Sequence, residues 1–142
     1  MFKVKICNIL EHNLLPLIEA KNYLRVSADH EDDFISSSIE SAILYAESYL
    51  GYFLKKREII GSFYLENYEE ELSLPHGNII EITKFREKGS LEDLEADSYE
   101  ILDGYKIKFK NKEIKGKEYE FSYISGFDEL PHMIKSAVLT HL

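Results

Sequence analysis

The sequence contains one cysteine, Cys7, and no tryptophan among its 142 residues. A single cysteine excludes an internal disulfide framework and a four-cysteine zinc site. No apolar run approaches the roughly 20 residues that cross a bilayer, and the first residues lack the apolar stretch and cleavage site of a signal peptide. The seven glycines nowhere form the patterns that cradle phosphate groups. We therefore expect a soluble protein of a reducing compartment that does not interact with a membrane.

Basic residues are the scarcer charged class, with 17 Lys and Arg against 26 Asp and Glu and a formal net charge of −9. This balance argues against a protein that grips nucleic acid by neutralising its phosphates. Hydrophobic residues make up 44% of the chain and aromatic residues 13%, which is enough apolar material for a packed core. The length is that of one ordinary domain.

Residues 14–57 have the apolar periodicity of helices. Leu17, Ala20 and Leu24 recur at positions i, i+3 and i+7, which predicts a short helix that ends near Arg25. A second helix is predicted from about Glu31 to Leu50, with Gly51 as its left-handed stop. The apolar stripe of this second helix consists of Ile35, Ile39, Ala42, Ile43, Ala46, Tyr49 and Leu50.

Residues 58–127 change to the alternating pattern of strands and turns. Strands are predicted at 58–65, 79–83 and 99–102, and a hairpin turn at Asp103-Gly104. The return strand should place Tyr105, Ile107 and Phe109 inside and its lysines outside. A further strand alternates in the same way, and its inward residues are Tyr119, Phe121 and Tyr123.

A last helix is predicted within residues 128–142, because an acid and an early proline precede an apolar periodic run. Together these patterns predict an α+β fold that is mainly helical. The N-terminal helix pair and the C-terminal helix should pack together, with a central antiparallel β insertion. We expect one domain over residues 1–142, divided into a helical part (14–57), the β insertion (58–127) and the C-terminal helix (128–142).

The residues that carry chemistry give no support for an enzyme, a metal site or a cofactor. The five histidines show no His-x-His pair and no i, i+4 pair on one helix. The cluster His30-Glu31-Asp32-Asp33 is typical of a helix cap, and it lacks the glycine and the distal glutamate of a calcium loop. No Gly-x-Ser-x-Gly elbow is present. We expect no catalytic residue, no bound cofactor and no metal.

Charges are segregated along the β insertion. Acidic segments occur at Glu66 with Glu69–Glu71 and at Glu92–Asp97, and a basic stretch begins at Lys106. One interpretation is a solvated hairpin with a charged outer face. The other is complementarity between subunits, in which the basic hairpin of one copy meets an acidic loop of the next and fixes the register of association.

The order of these signals resembles the head–tail connector, or adaptor, proteins of long-tailed phages and prophages. The resemblance covers residues 17 to 138. It is carried by an opening helix, the end of the second helix, a turn and the C-terminal region, with the sequences LIEAKNYLRV (17–26), EDDFI (31–35), AESYLG (46–51), LPHG (74–77), YISGF (123–127) and LPHMIKSAV (130–138).

The resemblance implies a structural virion protein without catalysis. Such a subunit would join a homo-oligomeric ring of about a dozen copies beneath the portal protein and link the DNA-filled head to the stopper and tail. DNA would pass through the lumen without specific binding. The protein would reside in the virion neck and, before assembly, in the cytoplasm of the bacterial host. The alternative is a phage DNA-packaging accessory protein that contacts terminase or DNA.

Two sets of charged residues become candidates under this resemblance. The subunit interface is predicted to pair three lysines with three acids: Lys106, Lys108 and Lys110 with Glu69, Glu70 and Glu71. An acidic channel wall would repel the DNA backbone and prevent tight binding. We therefore expect one acidic segment to face the lumen, with the candidates Glu66, Glu92, Asp93 and Glu95.

Overall fold

Three α-helices and seven strands make up the described part of the chain. The structure is a computed structural model that describes residues 2–10, 14–66, 70–110 and 117–142. In chain order the elements are β1 (Phe2–Ile9), α1 (Leu17–Leu24), α2 (Asp32–Leu50), β2 (Arg57–Leu65), β3 (Glu71–Ser73), β4 (Ile79–Glu87), β5 (Tyr99–Leu102), β6 (Lys106–Phe109), β7 (Lys117–Ser125) and α3 (His132–Thr140). The strands form two antiparallel sheets, ordered β1-β2-β7-β4 and β3-β6-β5.

The three helices share one hydrophobic core. The predicted apolar stripe of α2 supplies Ile35, Ile39 and Ile43, which are buried against residues of α1 and α3 such as Ala20 and Val138. The predicted packing of the N-terminal helix pair with the C-terminal helix is therefore confirmed. Helix α2 ends as expected, because Gly51 adopts a left-handed conformation with φ 79° and its N–H donates to the Glu47 carbonyl at 2.9 Å.

A second core lies between the two sheets. The alternation of β7 is confirmed, since Tyr119, Phe121 and Tyr123 are all buried, as are Ile107 and Phe109 of β6. Aromatic rings dominate this core, and several pairs pack with ring centroids 5 to 6 Å apart. Each such pair adds about 0.5–1.5 kcal/mol beyond the area that it buries. The β layer therefore has its own source of stability.

The prediction of a mainly helical fold is wrong. The described residues contain more strand than helix, in two sheets, although the fold is α+β as predicted. Strands β1 and β3 were not predicted: β1 precedes the helices, and β3 has only three residues, too few for a periodic pattern. Two aromatic residues predicted inside are exposed. Tyr49 points away from the helical core, and Tyr105 belongs to the turn before β6.

Candidate functional site

The predicted interface charges of the hairpin meet within one chain. In the register of β3 and β6, Glu71 lies opposite Lys108 and Ser73 opposite Lys106. The Nζ of Lys106 is 3.7 Å from a carboxylate oxygen of Glu71, and the Nζ of Lys108 is 3.8 Å from one of Glu70. Exposed pairs at such distances contribute about 0–1 kcal/mol to folding. Between 28% and 66% of each of these side chains is exposed, so a neighbouring molecule could reach them.

The other two members of that predicted interface are Lys110 and Glu69. Lys110 is an exposed residue that follows β6, and its N–H donates to the Ser98 carbonyl at 2.9 Å. Glu69 lies outside the described residues. Interaction with the Tyr105 side chain and the charge of Glu71 raise the pKa of Lys106 above its ordinary value, so this lysine is charged at neutral pH.

Glu66 of the first predicted acidic segment and the second segment, Glu92–Asp97, lie at the same end of the four-stranded sheet. Glu66 directly follows β2, whose last residue pairs with Lys117 at the start of β7. The segment from Glu92 to Asp97 follows β4, whose last residue pairs with Tyr119. The opposite end of β7 leads into α3. Glu66 and the Glu92–Asp97 segment are thus distal to the helices.

One of these acids has a structural role. The Asp93 carboxylate accepts the N–H of Phe85 at 3.3 Å and the Nε–H of Arg86 at 2.9 Å, and the N–H of Leu94 donates to the Phe85 carbonyl at 2.8 Å. The connection after β4 therefore folds back along the edge of that strand. Asp93 is neutralised by Arg86, whereas Glu92 and Glu95 are exposed.

Strand β1 is a surface feature that the sequence analysis did not identify. Lys3, Val4, Lys5 and Ile6 are four consecutive exposed residues on it, and no described strand pairs with its outer edge. The strand passes close over Gly61, where an added Cβ would lie 2.4 Å from the Lys3 carbonyl oxygen. The alternation of lysine with apolar residues was the available signal for this strand.

An apolar groove between α2 and α3 is the second unpredicted surface. It has a volume of about 330 Å³ and is lined by apolar side chains, among them Tyr45, Ile134 and Ala137. Tyr49 and Met133, each 83% exposed, stand at its mouth. The ring of Tyr45 lies 5.2 Å from that of His141. Aromatic and methionine side chains without charges are typical of the central part of protein interfaces.

The largest resolved pKa shift among the described residues belongs to a buried tyrosine. Burial raises the pKa of Tyr123 to about 12, and its hydroxyl accepts the backbone N–H of His76 at 3.2 Å, so the phenol is neutral and structural. Burial lowers the pKa of His76. Within the described ranges, no three His, Cys, Asp or Glu residues are grouped so that they could hold a metal ion. Nor is any described helix both long and apolar enough to cross a membrane.

A comparison with protein families decides the class of the chain. The model of the gp6-like phage head–tail connector proteins matches residues 16–105, from the start of α1 to the turn before β6. The chain belongs to this family. It is therefore a structural connector of the head–tail junction, as the resemblance implied. No curated protein sequence matches it.

Solved structures of gene transfer agent (GTA) particles share the connector's fold. A chain in the neck of an empty GTA particle, with C6 symmetry, is 18% identical with a TM-score of 0.70, over 98% of this chain and 80% of that one. A chain in the virion of a native particle is 18% identical with a TM-score of 0.66, over 97% and 80%. A chain in the native neck, with C12 symmetry, is 17% identical with a TM-score of 0.67, over 98% and 80%.

Proposed function

We propose that this connector assembles into a homo-oligomeric ring of about a dozen copies in the virion neck. The ring sits between the portal protein and the stopper or tail-completion protein, and it acts without catalysis. The observation that carries this proposal is the family match, supported by chains of the same fold in GTA necks with C6 and C12 symmetry. Before assembly the subunit resides in the host cytoplasm.

We further propose that DNA passes through the lumen without specific binding, which the net charge of −9 favours. Of the acids predicted for the channel wall, Glu66 is the best placed. It is exposed at the distal end of the sheet, whereas Asp93 is ion-paired and Glu92 and Glu95 flank the edge of β4. Reversing Glu66 to lysine should retard DNA ejection, and unchanged retention and ejection would contradict this assignment.

The hairpin charges Lys106, Lys108 and Lys110 with Glu69, Glu70 and Glu71 stay a prediction for the subunit interface. Two of the lysines already have acidic neighbours in their own chain at 3.7 and 3.8 Å. An interface role therefore requires the next subunit to share these exposed groups.

The ring is tested by native mass spectrometry of the purified chain over a range of concentrations, alone and with its cognate portal protein. We expect a closed species of about a dozen copies, formed either by the chain alone or when the portal is added, since a template offsets the loss of translational and rotational freedom. A chain that stays monomeric or dimeric in both cases contradicts the proposal.

A further inference from the structure

The two edges of the four-stranded sheet are built differently. At the β4 edge, both backbone groups of Phe85 are hydrogen-bonded by the connection that follows the strand, through Leu94 and Asp93. At the β1 edge, no described strand provides such cover, and residues 3–6 are exposed. An uncovered edge strand presents unpaired backbone groups that favour association with another chain. The β1 edge therefore lacks a partner within its own described chain.

The same two edges carry opposite charges. Residues 2–10 include Lys3 and Lys5 and no acid, whereas residues 91–97 include four acids and no base. Within the described part of the chain, neither lysine forms an ion pair, and the carboxylates of Glu92 and Glu95 have no partner either. The charges that are free to act on a neighbour are thus positive at one edge and negative at the other.

The opposite charges also lie at the same face of the sheet. Lys3 and Lys5 pair with Ser62 and Ile60, so their side chains are on the face away from the sheet core. Arg86 pairs with Glu120 on that same face. It is bound by Asp93 of the acidic connection, the segment of residues 91–97 that follows β4. If one copy is moved sideways, across the strands, and keeps the same face of its sheet outward, its basic edge therefore meets the acidic edge of the next subunit.

Apolar side chains accompany the charges at both edges. Val4 and Ile6 are exposed on the core-facing side of β1, where they lie opposite Gly61 and Ile59. Leu91, at the start of the acidic connection, is 93% exposed. Burial of such side chains between subunits supplies the affinity that surface charges do not, while the charges set the register.

We propose that β1 of one subunit docks on the acidic connection, residues 91–97, of the next copy in the ring. The contact is head-to-tail, because the two surfaces are different and lie on opposite edges of one sheet, about 14 Å apart across three strand spacings. Repetition of such a contact closes a ring when each copy is also rotated by a fixed angle about the ring axis. The inference rests on the proposed ring function, and it assigns Glu92 and Glu95 to the interface while leaving Glu66 to the lumen.

Charge exchange tests the contact. Lys3→Glu/Lys5→Glu and Glu92→Lys/Glu95→Lys should each weaken ring formation about tenfold or more in subunit concentration, because like charges then face each other. Their combination in one chain should restore the ring. The matched control is Arg25→Glu/Lys135→Glu, which makes the same charge change at basic residues of the helical layer rather than on either sheet edge. Far-UV circular dichroism verifies that each variant is folded.

Cross-linking gives an independent readout. In a Cys7→Ser background, Lys5→Cys and Glu95→Cys together should yield a ladder of covalent multimers with a short bismaleimide, in free rings or in necks of assembled particles. Either cysteine alone should give no ladder, because a head-to-tail contact needs both surfaces.

Rings that survive Lys3→Glu/Lys5→Glu, or that yield no ladder, overturn the contact while the ring function stands. A wild-type chain that forms no ring, even with its portal, overturns both.

Discussion

Glu47 and Arg57 form a buried ion pair that joins α2 to the first residue of β2, with 3.1 Å between the Oε1 of Glu47 and the Nη2 of Arg57. Glu47 is only 8% exposed, and its other oxygen accepts the N–H groups of Leu54 at 2.7 Å and Lys55 at 3.2 Å. The guanidinium of Arg57 lies over the Phe53 ring at 4.0 Å. One carboxylate therefore organises the passage from the helical layer to the β layer.

Glu47→Ala should lower the free energy of unfolding by about 3–5 kcal/mol. The change leaves the Arg57 charge and two backbone N–H groups buried without their acceptor. Urea unfolding measures the loss, and Glu129→Ala, at an exposed acid before α3, is the control and should change stability by less than about 0.5 kcal/mol. A similar loss in both variants would contradict the role of Glu47.

Gly126→Ala should destabilise the fold more than Gly89→Ala. Both glycines have positive φ, 130° and 89°, so each substitution strains the backbone by about 1–3 kcal/mol. At Gly126 the new Cβ would also lie 2.8 Å from the Lys55 carbonyl oxygen, whereas at Gly89 it meets nothing within 4 Å. Thermal unfolding of the two variants compares the costs, and equal midpoints would show that this close approach is not rigid.

Ile43→Ala and Tyr49→Ala test which residues of the predicted α2 stripe are in the core. Ile43 is buried, so its truncation should cost about 2–5 kcal/mol. Tyr49 is exposed, and its truncation should change the unfolding free energy by less than about 0.5 kcal/mol. Chemical denaturation gives both values. A large loss of stability for Tyr49→Ala would instead support the predicted place of Tyr49 in the buried stripe of α2.

Periodicity identified the long elements and missed those that depend on context. Helix α2 and strand β7 have enough residues for their apolar pattern to identify the buried face, and both predictions are confirmed. Tyr49 falls on the margin of the α2 stripe, where only the position of α3 decides burial. The excess of strand over helix was missed because β1 pairs with β2, a strand that comes about fifty residues later in the chain. Sequence alone shows no such pairing.

The charged residues of the candidate site could be predicted from the sequence, but their arrangement in space could not. Lys106, Lys108 and their acidic partners stand out in the sequence as charge clusters, but the cross-strand register that brings them together in one chain is a tertiary feature. The exposed edge of β1 and the groove near Tyr49 were missed for the same reason. A surface becomes recognisable only when the neighbouring elements that fail to cover it are known.

The stability of the fold should fall as the pH rises from about 10 towards 12. Burial raises the pKa of Tyr123 to about 12 in the folded chain, whereas a tyrosine in the unfolded chain titrates near pH 10. Between these values the unfolded state loses a proton that the folded state keeps, so unfolding becomes more favourable. Tyr123→Phe removes this contribution, and its urea midpoint should decline less steeply than that of the wild type. Parallel slopes would contradict the assignment.

Lys106→Glu/Lys108→Glu should lower the unfolding free energy slightly, since the new acids face Glu70 and Glu71. Urea unfolding measures this effect on the single chain. The ring assay on the same variant examines the predicted subunit interface. Loss of the ring would confirm that prediction, and intact rings would contradict it.

The most direct test of the connector account is electron cryomicroscopy of the neck in particles assembled with this chain. The account predicts a closed ring of about a dozen copies between portal and stopper, with DNA in its lumen, and each subunit's density should fit the two sheets and three helices described. A neck that contains no copy of the chain, or copies that do not encircle the DNA, would contradict it.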